Sequence, residues 1–184
     1  MDTPYCFDHV LVHGLGKTGL SVIDFLADKA DKITVVADNI PPQTREQLIK
    51  KIANIDIQTE RSLKILPDTT SLIIKSPGIS PKHSLYEIAK HNTCPIIGDI
   101  ELFALFAKAP IIGVTGTNGK STVVHLITEM LTKLGKKVCL GGNIGTPALS
   151  FLEDPTPDYY VLELSSFQLA NTYHLNAHIG VLLN

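Results

Sequence analysis

Apolar runs and segments of helical period alternate along the whole chain. Runs rich in β-branched and other apolar residues lie at 7–13, 32–37, 55–59, 71–75, 111–115, 138–140, 159–164 and 178–183. Apolar residues three and four apart mark helices near 18–29, 43–53, 82–90, 100–108 and 120–134. A chain that keeps returning from helix to strand predicts parallel sheets wrapped by helices, an α/β fold. The pattern restarts near residue 98, so residues 1–97 and 98–184 read as two small α/β units. There is no internal repeat, and the proline-rich bend Asp154-Pro155-Thr156-Pro157-Asp158 reads as a surface turn.

The second unit opens on an apolar strand that runs into Gly116-Thr117-Asn118-Gly119-Lys120-Ser121-Thr122 and then into an amphipathic helix. Small residues let successive backbone N–H groups point at anionic oxygens, and the helix N-terminus adds positive partial charge. Lys120 would neutralise phosphate, and Ser121 or Thr122 would hold Mg²⁺. The strict phosphate-loop pattern has glycine where this chain has Val114, so the assignment rests on the shorter G-T-N-G-K-S-T core. The unit is accordingly read as part of a P-loop NTPase-like domain that binds a nucleoside triphosphate. Tyr159-Tyr160-Val161-Leu162-Glu163 is a second apolar strand ending in an acid, which is where such domains set a further Mg²⁺ carboxylate. Ser165, Ser166 and Gln168 follow it as neutral hydrogen-bonding groups on the expected ligand edge, and Gly141-Gly142-Asn143-Ile144-Gly145 follows another strand.

The first unit has its own glycine signature. Gly14-Leu15-Gly16-Lys17-Thr18-Gly19 stands between a strand and an amphipathic helix, and Asp38 ends the next strand about twenty residues on. That setting predicts a Rossmann-like fold holding a nucleotide or a sugar-nucleotide diphosphate, with Lys17 near the diphosphate. Ser76-Pro77-Gly78 follows a strand at the same edge.

Composition narrows the partners. The 184 residues are 44% hydrophobic, enough for packed cores, and sixteen basic against eighteen acidic residues give a net charge of −2. No basic excess points to nucleic acid or an anionic membrane, so small ligands are expected. Cys6, Cys94 and Cys139 are an odd number without C-x-x-C spacing and read as reduced thiols. The start Met1-Asp2-Thr3-Pro4-Tyr5 lacks the features of a signal peptide and no apolar run reaches membrane-spanning length, so a cytoplasmic location is expected. His174 and His178 have helical metal-pair spacing, but Asn176 and the β-like run after it argue against a zinc pair. The remaining histidines read as structural.

The combination of G-T-N-G-K-S-T, G-G-N-I-G and Leu162-Glu163-Leu164-Ser165-Ser166-Phe167-Gln168 resembles the Mur ligases, and in detail those that add D-glutamate. The G-L-G-K-T-G-L-S start, Ser76-Pro77-Gly78-Ile79 and Gly98-Asp99-Ile100-Glu101-Leu102-Phe103 extend the likeness along nearly the whole chain. The resemblance implies that ATP phosphorylates the carboxylate of UDP-N-acetylmuramoyl-L-alanine and that D-glutamate attacks the acyl phosphate, a cytoplasmic step of peptidoglycan synthesis carried out by a monomer. It implies that Lys120 and Glu163 are catalytic and that Ser121, Thr122 and Glu163 hold the metal. UDP would be held by Gly16, Lys17, Thr18, Asp38, Asn39, Ser76, Pro77 and Gly78, while Asn143, Ser165 and Gln168 face the muramoyl part. Another Mur-type amino-acid ligase or a folylpolyglutamate synthetase is the nearest alternative; a P-loop GTPase or kinase and an NAD-dependent oxidoreductase each explain only one unit. Two departures stand out. Asn39-Ile40 supplies no arginine where the family often sets one against uracil, and the chain ends at Leu182-Leu183-Asn184, before the amino-acid-binding third domain. It is therefore expected to be an N-terminal portion that is inactive by itself.

Overall fold

A computed structural model of the chain describes residues 4–61, 63, 65–152 and 155–184. Contacts divide it into a unit ending at Gly98 and a unit beginning at Asp99. The expected turn at 154–158 falls partly outside the described residues, as does the start of the chain.

The first unit contains β1 (His9–His13), α1 (Lys17–Leu26), β2 (Lys32–Val36), α2 (Pro42–Lys51), β3 (Ile55–Gln58), β4 (Leu72–Lys75), α3 (Ser84–His91) and β5 (Ile96–Ile97). Its sheet has the order β3-β2-β1-β4-β5, and every pair is parallel. All five residues of β1 and all four of β4 are buried, as central strands covered on both faces must be. Leu11, Val36 and Ile73 pack on Leu85, Tyr86 and Ala89 of α3. Truncating such a fully buried leucine or isoleucine to alanine costs about 2–5 kcal/mol. Strand order reverses between β1 and β4, so the loops after these two strands flank the crevice where open α/β sheets take ligands.

The second unit contains α4 (Asp99–Phe106), β6 (Ile111–Gly116), α5 (Lys120–Lys133), β7 (Val138–Gly142), a 3₁₀ turn (Ala148–Leu152), β8 (Tyr159–Glu163), α5's successor α6 (Ser166–Leu169) and β9 (Ile179–Leu183). Its parallel sheet runs β7-β8-β6-β9, which sets β6 beside β8 with Val114 opposite Glu163. The phosphate loop and the strand ending in Glu163 thus emerge side by side. The sheet packs on α5 through Ile112, Val114, Val124 and Val161. Each helix and strand anticipated from the sequence is present with its ends moved by a few residues, while β5, the 3₁₀ turn and α6, all short, were not anticipated. Among the described residues no helix is long and apolar enough to cross a membrane, and none of the three cysteines forms a disulfide.

Candidate functional site

In the second unit the backbone builds the cradle. Gly116 has φ 139° and Gly119, which caps α5, has φ 83°; side chains with a Cβ rarely adopt either value. A Cβ on Gly116 would also lie 1.9 Å from the Leu183 carbonyl oxygen. Lys120, the first residue of α5, folds back over the loop, its Nζ donating to the carbonyls of Gly116 at 2.7 Å and Thr117 at 3.1 Å. The ammonium is therefore held by neutral oxygens, which an anionic phosphate oxygen would outcompete.

Glu163 is only 2% exposed, yet each of its carboxylate oxygens accepts a hydrogen bond. Ser121 Oγ donates to Oε2 at 2.6 Å and Asn143 Nδ2 donates to Oε1 at 2.8 Å, while the Asn143 backbone N–H bonds the Glu163 carbonyl at 2.8 Å. Gly142, with φ 98°, lets the two strands approach, since a Cβ there would stand 2.5 Å from that carbonyl. A buried carboxylate and a serine hydroxyl in contact, beside a lysine at a helix N-terminus, form a hard-oxygen donor set of the kind Mg²⁺ accepts. The cradle and this donor set fit a nucleoside triphosphate with its Mg²⁺. Ser121 is the hydroxyl on Glu163; Thr122 follows it, exposed, on the first turn.

The expectation for Gln168 needs correction. Gln168 is 2% exposed, with Nε2 donating to Asp99 Oδ2 at 3.0 Å and Oε1 accepting from the Ser165 N–H at 3.1 Å. Ser165 Oγ accepts from the Gln168 N–H at 3.2 Å, so the pair forms the capping box of α6. Their polarity, read as a ligand-facing edge, serves the helix end and the buried Asp99. Burial pushes the Asp99 carboxyl up to about 6, partly offset by hydrogen bonds from Gln168 and backbone, and its Oδ1 has no hydrogen-bond partner among the described residues. The 174–178 segment is not helical: the His174 ring and backbone N–H bond Glu101, which is completely buried.

In the first unit, Gly14 has φ 98° and a Cβ there would meet Ser76 Oγ at 2.8 Å. Gly19 allows α1 to pack on the loop, because its Cβ would stand 2.0 Å from the Gly14 carbonyl. Ser76 Oγ donates to that same carbonyl at 3.3 Å, so the loops after β1 and β4 are joined. Gly16 caps α1, Lys17 and Thr18 open it, and Pro77 and Gly78 continue the β4 loop. Asp38 and Asn39 leave β2 exposed and line a cavity of about 480 Å³ together with Thr59 and Arg61. Arg61 was missed because it follows β3, remote in sequence from Asp38, and the only signal was its position just past a strand's carboxyl end.

Asp38 is held from behind. Its Oδ1 accepts from the Glu60 N–H at 3.0 Å, and the Glu60 carboxylate is flanked by His13 Nε2 at 3.1 Å and His83 Nε2 at 3.3 Å. The bond from His13 lowers the Glu60 pKa, and burial lowers that of His13. His9, by contrast, is structural, its two ring nitrogens bonded to Thr69 and Thr34.

Comparison with known proteins follows these divisions. Residues 8–98 match the family model for the Mur ligase MurD-like N-terminal domain, and residues 114–184 match that for the Mur ligase middle domain. The chain is 47% identical over its whole length to UDP-N-acetylmuramoylalanine--D-glutamate ligase of Pasteurella multocida, and covers 42% of that protein. It is 42% identical, over 95% of its length, to the ligase of the same name from Nitrosococcus oceani, of which it covers 38%. The chain thus spans about two fifths of the length of these curated relatives. Among solved structures, UDP-N-acetylmuramate:L-alanyl-gamma-D-glutamyl-meso-diaminopimelate ligase from Neisseria meningitides shares its fold with a TM-score of 0.54 at 16% identity, over 96% of this chain and 60% of that one.

Proposed function

The chain belongs to the Mur ligase family, of which it carries the N-terminal and middle domains, and on that premise we propose that the full-length protein is an ATP-dependent ligase joining D-glutamate to UDP-N-acetylmuramoyl-L-alanine in the cytoplasm. The contact between Ser121 and Glu163 beside Lys120 carries the reading, because it joins a metal donor set to a phosphate cradle on neighbouring strands. The relatives named for D-glutamate addition supply the choice of substrates.

The chemistry demands activation. A carboxylate is a poor acyl donor, and transfer of the γ-phosphoryl of ATP to it gives a mixed anhydride that an amine can attack, expelling phosphate. Bound Mg²⁺ would neutralise charge on the β- and γ-oxygens, with Ser121, Glu163 and, from the same turn, Thr122 as its protein donors. The N–H groups of 116–122 hold the phosphate chain, and Lys120 exchanges its loop carbonyls for the transferred phosphoryl. Asn143 fixes the Glu163 carboxylate, so the donor oxygens need not reorganise. In the first unit Gly16, Lys17 and Thr18 offer a helix N-terminus and a cation to the diphosphate, Ser76, Pro77 and Gly78 close the other side, and Asp38 and Asn39 take the nucleoside, with Arg61 as the neighbouring cation.

ADP formation by the full-length protein tests this. It should require UDP-N-acetylmuramoyl-L-alanine and D-glutamate together; equal turnover with another amino acid would reassign the protein to a different Mur-type ligase.

A further inference from the structure

The Glu60 carboxylate, 30% exposed, is bonded by a histidine at each oxygen. His83 caps α3, its Nδ1 accepting from the Leu85 N–H at 3.2 Å. That nitrogen therefore bears no proton, and the neutral ring keeps its proton on Nε2, aimed at Glu60 Oε2. On the other side, Tyr86 Oη stands 2.7 Å from His13 Nδ1. Burial pushes the Tyr86 hydroxyl well above its ordinary range, so it stays a phenol and donates to Nδ1, leaving His13 Nε2–H for Glu60 Oε1. A continuous run of hydrogen bonds then leads from Tyr86 through His13, Glu60 and His83 to the Leu85 N–H. His13 is fully buried, and its ring meets that of His83 edge-on at 4.7 Å.

The other end of Glu60 points to the nucleoside side of the crevice. Its N–H holds Asp38, and the next residue, Arg61, shares with Asp38 both the 480 Å³ cavity and a second of about 360 Å³ that His83 also lines. We infer that His13 and His83 are positioning residues for a nucleoside diphosphate: by gripping the Glu60 carboxylate from two sides they fix the Glu60 N–H that orients Asp38, and set Arg61 at the same cavity. This rests on the reading of Asp38 as the nucleoside contact. The three side chains also bring their ligand atoms within 4.8 Å of one another, close enough for a divalent metal. A metal on His83 Nε2 would move the ring proton to Nδ1 and break the cap on α3, so hydrogen bonding suits the observed geometry better.

Two substitutions at one position separate capping from gripping. In His83→Asn the side-chain oxygen replaces Nδ1 and caps α3 but does not reach Glu60; in His83→Gln the amide replaces Nε2 and reaches Glu60 but does not cap. Calorimetric titration of the 184-residue chain with UDP, alongside thermal melts, should show His83→Asn melting like the parent chain but binding UDP roughly tenfold more weakly, about the loss of one hydrogen bond to a charged group. His83→Gln should melt lower yet restore affinity to within about twofold. Affinity that tracks melting temperature instead, or full affinity in His83→Asn, would overturn the proposal. So would loss of UDP binding on adding EDTA, which would make the cluster a metal site. Asp38→Asn keeps the two outcomes apart: if it binds UDP as the parent chain does, or neither binds, the nucleoside reading falls and the proposal with it, whereas weak binding by Asp38→Asn with normal binding by His83→Asn removes the grip alone.

Discussion

Ser121 Oγ and Glu163 Oε2 lie 2.6 Å apart, a hydroxyl at the head of α5 donating to a buried carboxylate at the end of β8. Neither residue is near the other in sequence; parallel pairing of β6 with β8 brings them together. With Asn143 on the other oxygen, Glu163 is preorganised before any metal arrives. Glu163→Gln keeps the size and both neighbours but removes the charge. The full-length variant should need at least tenfold more Mg²⁺ for half-maximal ADP formation, with melting temperature little changed. An unaltered Mg²⁺ requirement would remove Glu163 from the metal's donors.

Lys120→Ala should leave the fold nearly intact, since Nζ meets only loop carbonyls. In the full-length enzyme it should lower kcat by about 10²-fold or more, the scale seen when a group aimed at developing transition-state charge is deleted. Steady-state ADP release checks this, and near-normal turnover would exclude the phosphate-loop assignment.

The glycines of the first unit make a sharper contrast. Gly16→Ala meets no atom within 4 Å and should leave stability within about 0.5 kcal/mol of the parent chain. Gly19→Ala sets a Cβ 2.0 Å from the Gly14 carbonyl oxygen, a backbone atom that moves only if α1 lifts off the loop. A loss of about 2 kcal/mol or more is expected, together with weaker UDP binding, and denaturant melts of the two variants measure it. Equal stability would show that the loop tolerates helix displacement.

Much of this was legible because it is local. The apolar runs of β1 and β4 are buried on both faces and so lack polar interruption, and each glycine loop sits between a strand and a helix that its own neighbours predict. What was hidden depends on contacts between distant segments. Glu60 and Arg61 follow a four-residue strand with nothing local to mark them, and gain meaning only where β2 and β3 end together. His13 and His83 looked structural because nothing in the sequence shows that the start of α3 brings His83 and Tyr86 against His13. Gln168 misled in the opposite sense: its polarity suggested a ligand edge, but Asp99, 69 residues earlier, takes its amide inward. Two-residue β5 and four-residue α6 are too short to display a period.

The burial of Asp99 has a consequence for stability. Asp99 is 2% exposed, and desolvation raises its carboxyl from 3.8 to about 6. A raised acid binds its proton more tightly when folded, so between these two values the native state holds more protons than the unfolded one, and stability falls as pH rises through that window, then levels off. The full effect is at most about 3 kcal/mol. Asp99→Asn still accepts from Gln168 and cannot ionise, so its urea midpoint should lose this slope: compared with the parent chain, it should gain stability steadily from pH 4 to pH 6.5 and hold the gain above. Its new amide hydrogens take the place of Oδ1, which has no partner among the described residues. Their burial offsets the gain by a constant amount, leaving the difference in slope as the diagnostic. Parallel pH profiles for the two proteins would show that Asp99 is ionised in the folded state throughout, with the nearby hydrogen bonds outweighing its burial.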